Sequence, residues 1–318
     1  MVTMRSLAGI AFIALAFPVL GQDDQTIKVD VNLVNLFFTV KNKGGGLVAN
    51  LEKDAFQVFE NGQKQTIKTF TRETDLPLTI GLLVDVSRSQ ENLMGVERTA
   101  ATQFFEKVLR KKDVAFLITF GSEAELLQDT TGSPKLLRQG LDQMRLSVPV
   151  GGLHPGPVPT ASQMRGTIMY DAVYLAANEK LKGEVGRKVI VLITDGGDQG
   201  SRYKITEAIE ASHKADTIIY SIYYADPHYQ TMFGSGEGNL KKMSEETGGR
   251  VFHVDRKHTL DDCFRELQDE MRSQYSLSYS PTNPTRDGSF RKIEIKASEK
   301  EYKVQARKGY YAMPDDGR

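Results

Sequence analysis

Apolar positions along this chain follow two periods, and the change between them divides it. Near the amino terminus Ile27, Val29, Val31 and Leu33 alternate with polar residues, as on a half-buried strand. Leu36, Phe38 and Val40 then alternate in the opposite phase, which places a bulge or break near Val34. Gly44-Gly45-Gly46 marks a turn. Residues 56–59 and 65–70 flank Glu60-Asn61-Gly62-Gln63, and Asn-Gly between two such runs predicts a tight hairpin.

From Leu78 strands and helices alternate, the pattern of a parallel sheet covered on both faces. Residues 79–84, 114–120 and 188–194 are apolar runs of the kind buried on both sides, 217–223 and 251–254 read as further strands, and 126–130 as an edge strand. The helix over 92–110 carries Val96, Ala100, Phe104 and Val108 on one face, with Glu97, Arg98, Glu106 and Lys107 elsewhere around the wheel. Further helices are expected over 134–144, from Thr167 to about 181, over 203–215, over 240–247 with Gly248-Gly249 as its stop, and over 259–273 with Thr259 and Asp262 as its cap. Two long loops, 147–165 and 225–238, interrupt the pattern.

The tail returns to alternation at Tyr275, Leu277 and Tyr279, then at Ile293, Ile295 and Ala297, and closes on Gly309-Tyr310-Tyr311. Two or three strands are marginally stable alone, as is the amino-terminal set. Both ends are therefore expected to share one β-sandwich (22–76 with 274–318), with an α/β domain over 77–273 inserted between them.

The chemistry begins where the first buried run ends. Asp85, Ser87 and Ser89 alternate with Val86 and Arg88, so a turn at the strand's carboxyl end could aim one carboxylate and two hydroxyls at a common point. A hard divalent cation suits such a point, because Mg²⁺ and Ca²⁺ take oxygen ligands and no sulfur or imidazole is offered. By itself the pentapeptide also fits a solvated strand-to-helix connection.

D-x-S-x-S after an apolar strand resembles the first part of the metal-ion-dependent adhesion site of the von Willebrand factor type A (VWA) family. Two further pieces stand in the family's order: Arg165-Gly166-Thr167 before a helical pattern, and an apolar run ending in Asp195-Gly196. In its flanks and Tyr-rich close the chain is similar to secreted bacterial VWFA-related proteins. The resemblance implies a doubly wound, mostly parallel α/β sheet with the strands ending at Asp85 and Asp195 as neighbours. It implies that Ser87, Ser89 and Thr167 ligate a cation of Mg²⁺ type (or Mn²⁺ or Ca²⁺) through hydroxyls, while Asp85 and Asp195 hold coordinated water. Neutral ligands leave the ion's charge uncompensated, so an open position would take a Glu or Asp carboxylate from a protein partner. Arg165 stands where family members often carry a second glycine, which leaves that loop's conformation open. Asp171 reads as a dipole-complementing acid or a supporting partner of the ligands, and Asp198 with Ser201 as a turn or a support at the rim.

Composition narrows the partner. The chain has 318 residues and a formal net charge of zero, and its longest basic run is Arg110-Lys111-Lys112, which argues against nucleic acid or an anionic membrane surface. Cys263 is the sole cysteine; it shares a helical face with Leu260, Phe264, Leu267 and Met271 and reads as a buried, inert thiol. Arg5, the apolar stretch 7–20 and Gly21 read as a secretory signal over 1–21, cleaved or else kept as an anchor. The mature chain is then secreted or periplasmic with no membrane span. A phosphatase of the haloacid dehalogenase type needs a second acid two residues after Asp85, where Ser87 stands, and His154, His213, His228, His253 and His258 have no metal-ligand spacing. The expectation is a metal-dependent protein-binding module, not an enzyme. Its alternatives are a scaffold that binds through the β domain without metal, and a metal-dependent hydrolase.

Overall fold

The computed structural model describes residues 33–73, 76–147, 166–226 and 236–314. The leader expected over 1–21, the alternating positions 27–31 and loop residues 148–165 and 227–235, with His154 and His228, lie outside them.

Four strands come first: β1 (Val34–Lys41), β2 (Phe56–Glu60), β3 (Gln63–Gln65) and β4 (Ile67–Glu73). The alternating strand-helix section contains β5 (Leu78–Asp85), α1 (Met94–Val108), β6 (Val114–Phe120), β7 (Ala124–Thr131), α2 (Pro134–Asp142) and α3 (Met169–Leu175), which runs on as a wider π-helical segment, Ala176–Leu181. It continues through β8 (Arg187–Thr194), α4 (Ile205–Lys214), β9 (Thr217–Tyr223), α5 (Glu237–Thr247), β10 (Val251–His253) and α6 (Leu260–Arg272). Strands β11 (Gln274–Tyr279), β12 (Phe290–Ala297), β13 (Lys303–Ala306) and β14 (Gly309–Tyr311) close the chain.

The central sheet has the order β10-β9-β8-β5-β6-β7, parallel except for the antiparallel edge strand β7. Every residue of β5 is buried. Ile80, Leu82 and Val84 face a core closed by α1, α2 and α6, while Leu83 faces one closed by α3, α4 and α5. Gly81 leaves the space on that second face that the Phe116 ring fills. The chain runs from β5 outward to β6 on one side and returns to β8 on the other, so the order reverses between the two strands that precede Asp85 and Asp195. This is the doubly wound, VWA-like architecture expected, and the reversal point is where such sheets bind ligands.

The inner face of α1 departs from expectation. Val96 is half exposed, and the buried stripe is Glu97, Ala100, Ala101, Phe104, Phe105 and Val108. Phe104 and Phe105 together demand a wider stripe than a strict four-residue row, and the helix turns until an acid faces inward.

The two chain ends build the sandwich together, with sheet orders β13-β1-β11-β4 and β14-β12-β2-β3. Phe38, Phe56, Phe70 and Tyr275 pack with ring centroids 5.0–5.6 Å apart, the offset and edge-on spacing aromatic pairs favour. Asn61 and Gly62, at φ 48° and 82°, make the tight turn that Asn-Gly predicts. The run expected as one strand over 65–70 is instead divided at Thr66: Gln65 pairs with Val58 in one sheet, and Ile67 with Tyr279 in the other. The described part of the first strand begins at Val34 and keeps a single phase, with Val34, Leu36, Phe38 and Val40 inward. β4 and β11 are hydrogen-bonded neighbours, with Glu73 opposite Gln274, so the chain leaves and re-enters the sandwich side by side. Between the two parts, buried Glu270 of α6 accepts from Lys41 Nζ at 2.9 Å, Arg250 Nε at 2.6 Å and Gln305 Nε2 at 2.6 Å.

Candidate metal centre

The first segment of the site is built by the end of β5. Val86 N–H donates to the Phe120 carbonyl at 2.8 Å, which prolongs the β5–β6 ladder one residue past Asp85. The chain then turns, and Asp85 Oδ1 accepts the Ser87 N–H at 2.9 Å, an Asx-type closure that points Ser87 and Ser89 the same way. Their hydroxyl oxygens lie 3.1 Å apart. Gln90, buried behind them, donates to the Tyr224 carbonyl at 3.2 Å and fixes the turn against the end of β9.

The second segment is the end of β8. Thr194 Oγ1 donates to Asp85 Oδ2 at 2.6 Å and accepts the Gly196 N–H at 3.0 Å, so one hydroxyl joins the two strand ends. Asp195 is half-buried, and its Oδ1 accepts the Gly197 N–H at 2.9 Å. Gly196 has φ 80° and its Cα lies against the Gly236 carbonyl, so a side chain there would collide with backbone.

The third segment carries Thr167. Ile168 N–H donates to the Gly121 carbonyl at 2.9 Å, and the Thr167 carbonyl accepts from Gln199 and Gly200, both at 3.1 Å. The Gly121 Cα itself neighbours the Ser87 amide, where a Cβ would stand 3.6 Å away. Thr167 is thus held at the same rim, between the turn after β6 and the loop after β8. Gly166 is required: a Cβ would stand 2.7 Å from the Gln199 Cβ.

The electrostatics are one-sided. Burial, then the charge of Asp195, pushes the Asp85 carboxyl up to about 7, against the hydrogen bonds that favour its ionised form. Glu97, on the inner stripe of α1, has neither carboxylate oxygen hydrogen-bonded, and burial followed by the Asp85 charge raises its pKa well above the usual range. Among the described residues no Lys or Arg forms an ion pair with Asp85, Asp195 or Glu97. No cluster of three or more His, Cys, Asp or Glu forms a metal cage among them either, so a cation here needs hydroxyl ligands. The donor set fits a hard divalent ion: two facing serine hydroxyls, a threonine at the rim and two mutually repelling carboxylates.

Sequence reasoning missed Glu97, whose signal was an acid falling on the row of Ala100, Phe104 and Val108. It also left the loop after β8 undefined. Asp198 Oδ2 accepts the Tyr170 N–H at 3.0 Å and the Ser201 hydroxyl at 2.6 Å, while Asp171 Oδ1 accepts the Arg202 and Tyr203 N–H groups at 2.8 and 2.9 Å. These two acids sew the start of α3 to the loop after β8, and so fix Thr167 relative to Asp195.

A second cluster has the outline of a nucleophile. Cys263 Sγ lies 3.5 Å from His258 Nδ1, and His258 Nε2 lies 2.9 Å from Glu266 Oε1. However, His258 Nδ1 and the thiol both face the His253 carbonyl, at 2.9 and 3.6 Å, and each has a proton to give it. That carbonyl and Glu266 hold the His258 imidazole above its usual value, and burial pushes the thiol up to about 12. The pair is structural, and the thiol is inert.

No family model matches the chain, and no curated protein does. Among solved structures it is similar to an aerotolerance-related membrane protein from Bacteroides fragilis NCTC 9343, with 16% identity and a TM-score of 0.45 over 61% of this chain and 98% of that one. It is also similar to the conserved hypothetical protein BatB from Bacteroides thetaiotaomicron, with 15% identity and a TM-score of 0.44 over 61% and 97%. A third is proximal thread matrix protein 1 from the mussel byssus, solved with a zinc-occupied MIDAS motif, with 14% identity and a TM-score of 0.46 over 64% of this chain and half of that one. Likenesses this distant say nothing of what this chain binds.

Proposed function

We propose that Asp85, Ser87, Ser89, Thr167 and Asp195 hold one divalent cation of Mg²⁺ type, and that the protein uses it to dock an acidic side chain of a protein partner. The observation that carries this reading is the pair of acids, Asp85 and Asp195, gathered beside facing serine hydroxyls with no Lys or Arg ion-paired to them among the described residues. A bound cation supplies that missing positive charge. Ser87, Ser89 and Thr167 would meet it through neutral oxygens, and Asp85 and Asp195 would orient its water. Because three ligands are neutral, the ion keeps enough charge to draw a Glu or Asp from outside. In this reading 77–273 is the binding unit, 22–76 with 274–318 is its stem, and 1–21 directs the chain to the periplasm or the exterior. Among the described residues no helix is long and apolar enough to cross a membrane.

Calorimetric titration of the full chain with Mg²⁺, Mn²⁺ and Ca²⁺ tests the ion. One saturable site that disappears in Asp85→Ala is the expected result; no heat at millimolar metal would remove the basis of the reading. Capture of partners with Mg²⁺ and with EDTA tests the docking. Equal capture in both would favour a scaffold that binds through its β domain.

A further inference from the structure

At the opposite end of the central sheet, where β8 and β9 begin, the α/β part meets the sandwich around a cavity of about 420 Å³, within the range of small-molecule sites. Phe37 of β1, Leu76, Val185 and Ile218 give it an apolar wall. Val185 is 79% exposed, a large apolar side chain left at the surface. The same cavity is lined by Lys188, His213 and Arg307. Lys188 is 8% exposed and His213 4%. Lys188 Nζ forms no hydrogen bond or ion pair among the described residues, and neither His213 Nε2 nor Arg307 Nε has a partner. The His213 Nε2 and Arg307 Nε atoms have thus been taken from water without a replacement, which is costly unless a ligand supplies one.

We propose that this cavity binds a small amphiphilic carboxylate, its apolar chain against Phe37, Leu76, Val185 and Ile218 and its carboxylate among Lys188, His213 and Arg307. Two acids line the cavity as well, and they do not fill that role. Asp216 is committed to an ion pair with the Arg307 guanidinium, and Glu184 is only half-buried and keeps its water. Burial holds the Lys188 ammonium below the usual lysine range against the pull of Asp216 and Glu184, so those acids leave its lost hydration uncompensated. Burial likewise keeps His213 neutral near pH 7, and a neutral imidazole can offer an N–H from Nε2. The adjoining cleft of about 260 Å³ shares His213, Asp216 and Arg307 and so opens at the carboxylate end. The assignment does not depend on the cation site, which occupies the far end of the strands.

Titration calorimetry of the full chain with octanoate, octylamine and octanol tests it. Octanoate should saturate one site, with the amine and the alcohol at least about tenfold weaker, the effect of one charge-assisted hydrogen bond. Lys188→Met should weaken octanoate about tenfold by the same loss. EDTA should leave octanoate binding unchanged. In the unmodified chain, octanoate should also slow acetylation of Lys188 by acetic anhydride, read by peptide mass spectrometry, and this holds even if Lys188→Met fails to fold. Absence of saturable octanoate binding, octylamine binding as tightly as octanoate, or acetylation of Lys188 indifferent to octanoate would each overturn the proposal.

Discussion

Two buried carboxylates in this molecule live in opposite circumstances. Glu60, in the sandwich, is ringed by donors: Tyr279 Oη at 2.7 Å, Tyr310 Oη at 3.0 Å and Arg291 Nη1 at 3.1 Å. Arg291 is itself buried, and its guanidinium goes on to the Asn283 and Thr285 carbonyls. Both Glu60 oxygens and both terminal nitrogens of Arg291 are answered within the fold. Asp85 is as deeply buried, yet it receives only the neutral donors Ser87 and Thr194 and faces another acid in Asp195. The difference separates structure from readiness to bind. A buried charge that is fully paired holds a fold together, whereas one left against its own sign marks a place where something else belongs.

The largest effect should come from breaking the paired side. Glu60→Ala leaves the Arg291 guanidinium buried and unbalanced, and should cost about 3–5 kcal/mol in urea denaturation. A loss under 1 kcal/mol would mean that the pairing around Glu60 is not what stabilises the sandwich.

His213 extends the comparison to a base. Burial, then the Arg307 charge, pushes it down to about 4 from the usual 6.5. Its folded pKa is depressed, so its contribution to stability is complete above pH 6.5 and is lost as pH falls through 6.5 toward 4, by about 3 kcal/mol. Denaturation midpoints measured from pH 7.5 to 4 should fall in the unmodified chain and fall less in His213→Phe. Parallel curves would show that His213 is not the source.

The unpaired acids should respond to metal. A hundredfold excess of Mg²⁺ over its dissociation constant should add about 2.7 kcal/mol, and Asp85→Ala should lose that gain while staying folded. Because Asp85 sits near pH 7, a proton competes with the ion there, and the gain should shrink as pH drops below 7. A gain that is the same at pH 5.5 and 8 would disconnect Asp85 from the ion.

The smallest effect is expected at Glu97. Its folded pKa is raised, so the stability it contributes is full below the ordinary glutamate value and lost as pH rises. Glu97→Gln does not titrate, so the variant should gain on the unmodified chain as pH rises from 5 to 8. A variant that is equally or less stable at pH 8 would mean that the acid has a partner when folded.

The central sheet was legible because its strands are buried on both faces and write unbroken apolar runs, as Leu78–Asp85 does. The candidate site could be picked out because Asp85 and Asp195 stand where two of those runs end, with Ser87 and Ser89 just beyond the first. What stayed hidden depends on distant parts of the chain. Glu60 and Arg291 are separated by 231 positions, and neither looks buried until the other is placed beside it. The crossing at Thr66 was invisible for a different reason: Gln65 and Ile67 keep the inward parity of a single strand while changing sheets. Asp171 and Asp198 could be seen as acids near a helix start, but which backbone groups they hold requires the loop after β8 to be folded.

Because β4 and β11 run side by side where the chain passes into and out of the α/β part, a pull on that part does not peel these strands from each other. Both are drawn from the same end and move as a unit. The load falls on the ladder between β11 and β1, where five registered pairs run from Val34 opposite Tyr279 to Phe38 opposite Tyr275, and it acts along the strands. Those bonds are strained in shear, all at once, rather than opened one after another. A partner held at the carboxyl ends of β5 and β8 would therefore tug on a mount that resists as a block.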